Sequence, residues 1–419
     1  MTQIQPPQEA SAQQETSPPQ PRTPPESAAS APPGPSIGRL VGVDLARALA
    51  VFGMYCVHIG PPLSATDGVD GWVRFLADGR SSALFATLAG FSLILIAGRL
   101  EPKTGLAGRQ AKARIAIRAV MLLAVGTALC LAYGDLVIIP FYGAYFLLAL
   151  PLVRLRARTL AIIAAALALV TPQLAFVVKP LLTEPVQQSV NAYDPLERLS
   201  GLGALDLLIT GFYPAITFIP YVVAGMALGR LDLSATAVQR RLAALGPALI
   251  VLAYGTSRLL AGKDALRSTA EDGPSSSGGS GSMPLDSGSF ESYLPDLPAS
   301  SLLSGSPHSG TTFDIIGSTG VAITVLVCAT VAMERLPWLR RPAKPVVAVG
   351  TMSLTAYVGH FVAQSVLSVP SGDVQQSWGP LLMFLLGATL FAAVWSRFFR
   401  RGPLEYLVNA ATKPAKYIR

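Results

Sequence analysis

The chain is short of charge. Of its 419 residues, 13% are Asp, Glu, Lys or Arg and 51% are hydrophobic, a balance that excludes an ordinary soluble enzyme. Cysteine and histidine are scarcer still, with three of each. Cys56, Cys130 and Cys328 all lie in apolar runs with no CxxC pair. Neither a disulfide framework nor a thiolate metal site is therefore expected, and the three read as small buried hydrophobes. No HExxH, no glycine-rich nucleotide loop and no cysteine in an activating setting occurs. The first 37 residues, rich in Pro, Gln, Ser and Ala, lack the apolar run of a signal peptide and read as a disordered cytoplasmic tail.

Apolar sequence is what the chain has in abundance, and it comes in blocks. Ten segments stand out, at 40–60, 80–98, 115–133, 136–153, 159–178, 206–229, 242–260, 312–333, 346–369 and 379–396. The expected fold class is all-α, a polytopic helix bundle of about ten transmembrane helices with the lipid bilayer as its partner. The fourth segment is short and carries Pro140, so a kink or break is expected there. The connections fix an orientation. One face collects 25 of the 32 basic residues, including Arg99–Arg118, the RLRAR run and the C-terminal tail. By the positive-inside rule that face is cytoplasmic, both termini share it, and the protein sits in the plasma (inner) membrane. The net charge of +8 is spread between apolar spans, so no nucleic acid is expected as a partner. The expected organisation is a tail at 1–37, a transmembrane domain at 38–411 with a long extracytoplasmic loop at 261–311, and a basic cytoplasmic tail at 412–419. The loop's SSSGGSGS core reads as a flexible linker.

Ionisable residues inside spans are costly and face the protein interior or a wet cavity. The first segment, RLVGVDLARALAVFGMYCVHIG, carries Asp44 and Arg47 near its start and His58 near its end. Eleven residues at about 100° each return the chain to within about 20° of one face, so Arg47 and His58 point the same way roughly 16 Å apart. The topology puts all three histidines in the outer half. His58 ends the first span, His308 precedes the eighth, and His360 lies in SLTAYVGHFVAQ of the ninth. Histidine is the natural proton acceptor near neutral pH. His360 reads equally as an interhelical hydrogen bond, and His308 as an ordinary loop residue. Asp135, in YGDLVIIPFYGAY, is either the cap of the fourth span or a partner for an imidazole; Asp206 reads as a cap for the sixth. Arg114 and Arg118 open the third span, either anchoring headgroups or binding an anion.

The Arg47-x10-His58 pattern resembles the signature of membrane acyltransferases that O-acetylate sugars. The wider string with its Asp–x–x–Arg opening is similar to the start of the YeiB-type bacterial family and of heparan-α-glucosaminide N-acetyltransferase. GRSSALFATLAGFSL, AIRAVMLLAVG, GDLVIIPFYGAYFLLAL, GFYPAITFIPYVVAGMALGR, GSTGVAI, SLTAYVGH and RGPLEYL continue the likeness in order from 39 to 411. The resemblance implies a transmembrane acyltransferase. A cytosolic acyl-CoA, most simply acetyl-CoA, donates, and an extracytoplasmic carbohydrate accepts. His58 takes the catalytic role. The heparan enzyme carries its catalytic histidine in the first outer loop, whereas this chain has none between residues 59 and 79.

The residues fit that chemistry. Arg39, Arg47, Arg114 and Arg118, with Asp44 beside them, suit the phosphates of CoA. A buried passage would carry the thioester outward to His58 as general base. His360, His308 or Asp135 would orient it, and Tyr142 or a backbone N–H would serve the oxyanion. A secondary transporter or a non-catalytic membrane protein are the alternatives, and a homodimer stays open.

Overall fold

Two short apolar helices sit at the centre of the bundle, and they explain how the longer ones are arranged. The computed structural model describes residues 1, 40–61, 69–134, 137–262, 265–266, 298–369 and 377–418. Arg39 with the rest of the N-terminal tail, Asp135, and the glycine–serine core of the long loop lie outside the described residues. Among those described, every regular element is helical. They are α1 (Val41–Ile59), α2 (Val69–Ala77), α3 (Arg80–Ala97), α4 (Gly105–Tyr133), α5 (Ile139–Ala149), α6 (Ala157–Val178), α7 (Glu184–Asn191), α8 (Pro195–Ser200), α9 (Ala215–Gly229), α10 (Thr236–Ala261), α11 (Thr312–Arg335), α12 (Pro337–Thr351), α13 (Ser353–Val366), α14 (Trp378–Phe398) and α15 (Pro403–Ala411), with a few 3-10 and π turns between them.

Seven helical stretches among the described residues are long and apolar enough to cross a bilayer, so this is a multi-pass membrane protein. The other three apolar segments of the sequence take different forms. The fourth and sixth are the shorter helices α5 and α9, and the ninth is the pair α12–α13, bent by 79°. A helix that is apolar all round belongs in a core. Accordingly α5 buries Ile139 through Phe146 without interruption, and α9 buries twelve of its 15 residues. Neither is long enough to span alone, and both are wrapped in protein, where their free helix ends avoid lipid. By contrast α14 buries three of its 21 residues and stands at the periphery. The crossing of α3 and α9 is backbone-close: a Cβ on Gly90 would lie 1.9 Å from the Val222 carbonyl oxygen, and one on Gly225 1.7 Å from that of Thr87.

Four expectations are corrected. The sixth helix starts at Ala215 and not at 206, because Asp206–Thr210 forms a π turn and Gly211 and Pro214 interrupt the chain after it. Asp206 does not cap that helix; its carboxylate accepts from the Gly203 amide at 2.9 Å and the Thr210 hydroxyl at 2.6 Å. The ninth segment breaks at Met352. There the Glu405 carboxylate of α15 accepts from the Leu354 and Thr355 amides at 2.7 and 3.2 Å, satisfying a new helix N-terminus. On the other side of the break, Gly350 lies against α1 so closely that a Cβ would meet the Asp44 carbonyl oxygen at 1.7 Å. Finally, of the three cysteines expected inside, Cys130 is buried, Cys56 is half-buried and Cys328 is exposed on the outward face of α11.

Candidate functional site

Helix α1 supplies both halves of the site. It packs against α3, α11 and α12, and Ala46, Ala48, Ala50 and Val51 are fully buried along it. Small side chains let these helices close in, so the few polar groups on α1 are held by named neighbours.

Near the start of α1, Arg47 donates to the Asp44 carboxylate at 2.8 Å and to the Ser92 hydroxyl of α3, also at 2.8 Å. The ion pair leaves the guanidinium oriented along one wall of a cavity of about 80 Å³. Arg118 of α4 lines the same cavity, as do Phe85, Ser92, Tyr142 and the first residues of α13, Ser353 and Leu354. Two cations therefore face a single space, a setting that favours an anion, while the start of α13 beside them is already held by Glu405. At the far wall the Tyr142 hydroxyl is buried with no hydrogen-bond partner among the described residues. A buried donor left unpaired costs its full desolvation, so this one is available to a bound molecule. Arg114, one turn before Arg118, is half-buried and does not line the cavity.

The other end of α1 runs beside α13 in the same direction. Tyr55 donates to the Ala356 carbonyl at 2.7 Å, and three residues on, His58 Nδ1 meets His360 Nε2 at 2.8 Å. The two rings stack with centroids 5.0 Å apart, against Tyr357 and Phe361. The protons on this pair follow from one fixed point. His360 Nδ1 faces the Tyr357 carbonyl, and a carbonyl only accepts, so His360 carries its proton on Nδ1. Its Nε2 is then the acceptor, and His58 must donate from Nδ1. The second ring nitrogen of His58, Nε2, is left with a lone pair. The chain of bonds thus sets His58 up as a base.

Between the cavity and the histidines stands a wall of rings. Phe85 lies 5.4 Å from Tyr142 and 6.2 Å from Tyr357, centroid to centroid. The expected passage therefore ends, as a cavity, at Phe85 and Tyr142, and His58 is not among its walls. Beyond the dyad, Arg74 donates to the Cys56 and Val57 carbonyls at the end of α1, at 3.1 and 2.5 Å, and is close enough to His58 to act on its charge. His308 does not join the dyad. Its Nε2 sits 3.5 Å from Asp78, and its ring packs on Phe212 and Tyr213, within charge range of His58.

Residues 39–260, just over half of the chain, match the model of the family described as heparan-alpha-glucosaminide N-acetyltransferase, catalytic. The chain belongs to that family. Residues 298–414 match a second model, described as a protein of unknown function, DUF418. No curated protein matches the chain. Within this N-acetyltransferase family member the two matched regions share the site. Arg47, His58, Ser92, Arg118 and Tyr142 come from the first, and His308, Ser353, Leu354 and His360 from the second. Sequence reasoning missed Ser92, Glu405 and Gln364. Ser92 and Gln364 are polar residues inside apolar helices, which is the one signal that marks them. Glu405 lies in the RGPLEYL string, but nothing local shows its task, because its partners lie about 50 residues away.

Proposed function

We propose that this chain is a transmembrane acyltransferase with both termini in the cytoplasm. It moves an acetyl group from cytosolic acetyl-CoA to the hydroxyl or amine of an extracytoplasmic sugar or glycoconjugate. The observation that carries the reading is the His58–His360 pair, whose hydrogen bonds leave a lone pair on His58 Nε2. The cation-lined cavity supports it from the other end: Arg47 and Arg118 suit phosphate oxygens, and the partnerless Tyr142 hydroxyl suits the thioester oxygen.

In this reading His58 Nε2 takes the proton of the acceptor's O–H or N–H as that atom bonds to the thioester carbonyl carbon. Phe85 and Tyr357 stand between Tyr142 and His58, so these rings must swing aside for the Tyr142 hydroxyl to donate to the oxygen on which negative charge grows. The carbon–sulfur bond then breaks, and His58 returns the proton to sulfur, giving the CoA thiol and the acetylated acceptor. His360 holds the His58 ring in the useful tautomer and spreads the imidazolium charge toward the Tyr357 carbonyl. Purified protein in detergent, given radiolabelled acetyl-CoA and a panel of sugars, is expected to form acetylated sugar and CoA thiol in equal amounts. Absence of both acetyl-CoA binding and turnover overturns the reading.

A secondary transporter is the second reading. In its favour stands the broken pair α12–α13, whose inner helix end faces the cavity as discontinuous helices do in transporters. Proton-driven sugar uptake into proteoliposomes without acetyl-CoA would decide for it.

A further inference from the structure

One buried polar group lies next to the dyad and has no task in the chemistry above. Gln364 is on α13, four residues after His360. That spacing puts it on the same face of the helix, about 40° round and roughly 6 Å further along the axis. Because α1 and α13 run in parallel and α1 ends at Ile59, Gln364 sits at or just past the end of α1, on the far side of the dyad from the cavity. It is 5% exposed, and its Nε2 is buried with no hydrogen-bond partner among the described residues. The neighbouring backbone does not use the side chain: the helix end is closed by the Val369 amide donating to the Gln364 main-chain carbonyl at 3.0 Å. A carboxamide N–H₂ left dry and unpaired in the last turn of a membrane helix weakens the fold. A leucine of the same size would avoid that loss.

We propose that Gln364 is a specificity residue for the acceptor, and that its Nε2 donates to an oxygen of a neutral polyol or sugar whose reacting O–H or N–H then lies over His58 Nε2. This rests on the acyltransferase reading. An amide carries no charge, so it suits a hydroxyl or ring oxygen and does not select an anion. The placement divides the labour along one line: Arg47, Arg118 and Tyr142 before the dyad serve the donor, and Gln364 beyond it serves the acceptor.

The test compares wild type with Gln364→Leu and Gln364→Glu in detergent, using methyl β-glucoside and methyl β-glucosaminide as acceptor probes. Gln364→Leu is expected to raise the acceptor KM at least tenfold while KM for acetyl-CoA stays within twofold and the melting temperature is unchanged or higher. Gln364→Glu is expected to shift the preference toward the amine sugar at least tenfold. A Leu variant whose acceptor KM stays within twofold of wild type overturns the proposal. If wild type turns over no acetyl-CoA with either probe, the acyltransferase reading fails, and Gln364 is judged by binding alone. A glycoside-induced rise in melting temperature that is lost in Gln364→Leu then supports it, and an equal rise, or none in wild type, overturns it.

Discussion

The region from 40 to 260 and the region from 298 to 418 contribute to the site in opposite ways. In the proposed reaction the first supplies the cations, the Tyr142 hydroxyl and the base. They ride on α1, α4 and α5. The second supplies groups that aim them: His360 fixes the tautomer of His58, and the start of α13 closes the cavity beside Arg118. It reaches these places only because its path is broken, with a 79° bend between α12 and α13 and Glu405 holding the new helix end. Neither region holds a complete site, so chemistry of this type requires both to be docked.

Substitutions sharpen that division. The largest effect is expected from His58→Ala, which removes the base and lowers transfer by about 10³-fold or more, with acetyl-CoA binding kept; a loss below tenfold in steady-state kinetics would break the assignment. Next comes His360→Ala, which frees the His58 ring. It is expected to lower kcat about 10²-fold with both KM values little changed and to alter the pH–rate profile, whereas a purely structural role would lower the melting temperature and leave the profile alone. Arg118→Ala removes one charged partner of an anion, and the Glu405 carboxylate within its charge range stays held by the Leu354 and Thr355 amides. It is expected to raise KM for acetyl-CoA about tenfold with kcat kept, and to flatten its salt dependence.

The smallest effect is a control away from the site. On α8, burial and the nearby Asp206 and Asp194 carboxylates push the Glu197 carboxyl above its ordinary range. A raised folded-state pKa means that the ionised form opposes folding at neutral pH, and that this opposition fades as pH falls through the folded value toward the unfolded one. Glu197→Gln should therefore raise the melting temperature slightly at pH 7, with the gain shrinking in acid and activity unchanged. A gain that persists in acid would contradict the cause.

Much of this was legible along the chain. Ten apolar segments each correspond to a helix or a helix pair, and the Arg47 and His58 positions follow from helical spacing on one uninterrupted segment. The shortness of α5 was legible, but the kink expected from Pro140 is not there, because Pro140 sits in the first turn of the helix, where a missing N–H costs nothing. The break in α12–α13 was not legible, because its causes are distant: a carboxylate about 50 residues downstream and a crossing of Gly350 with the Asp44 backbone. The late start of α9 was missed because apolar composition outweighed the signals of Gly211 and Pro214. Three outer histidines were expected to gather, yet two bond to each other while the third turns to Asp78, a choice that hydropathy does not encode.

The sequence by itself determined that this chain lives in a membrane, where its apolar segments fall, and that one of them carries a cation and an imidazole on a single face. Those follow from composition and from the 3.6-residue period, which are local. Only the tertiary structure decided which nitrogen of His58 is bare, because that depends on an imidazole 302 residues away and on one carbonyl a turn before it. Hydrogen-bond direction is set by contact in space, and spacing along the chain carries no record of it.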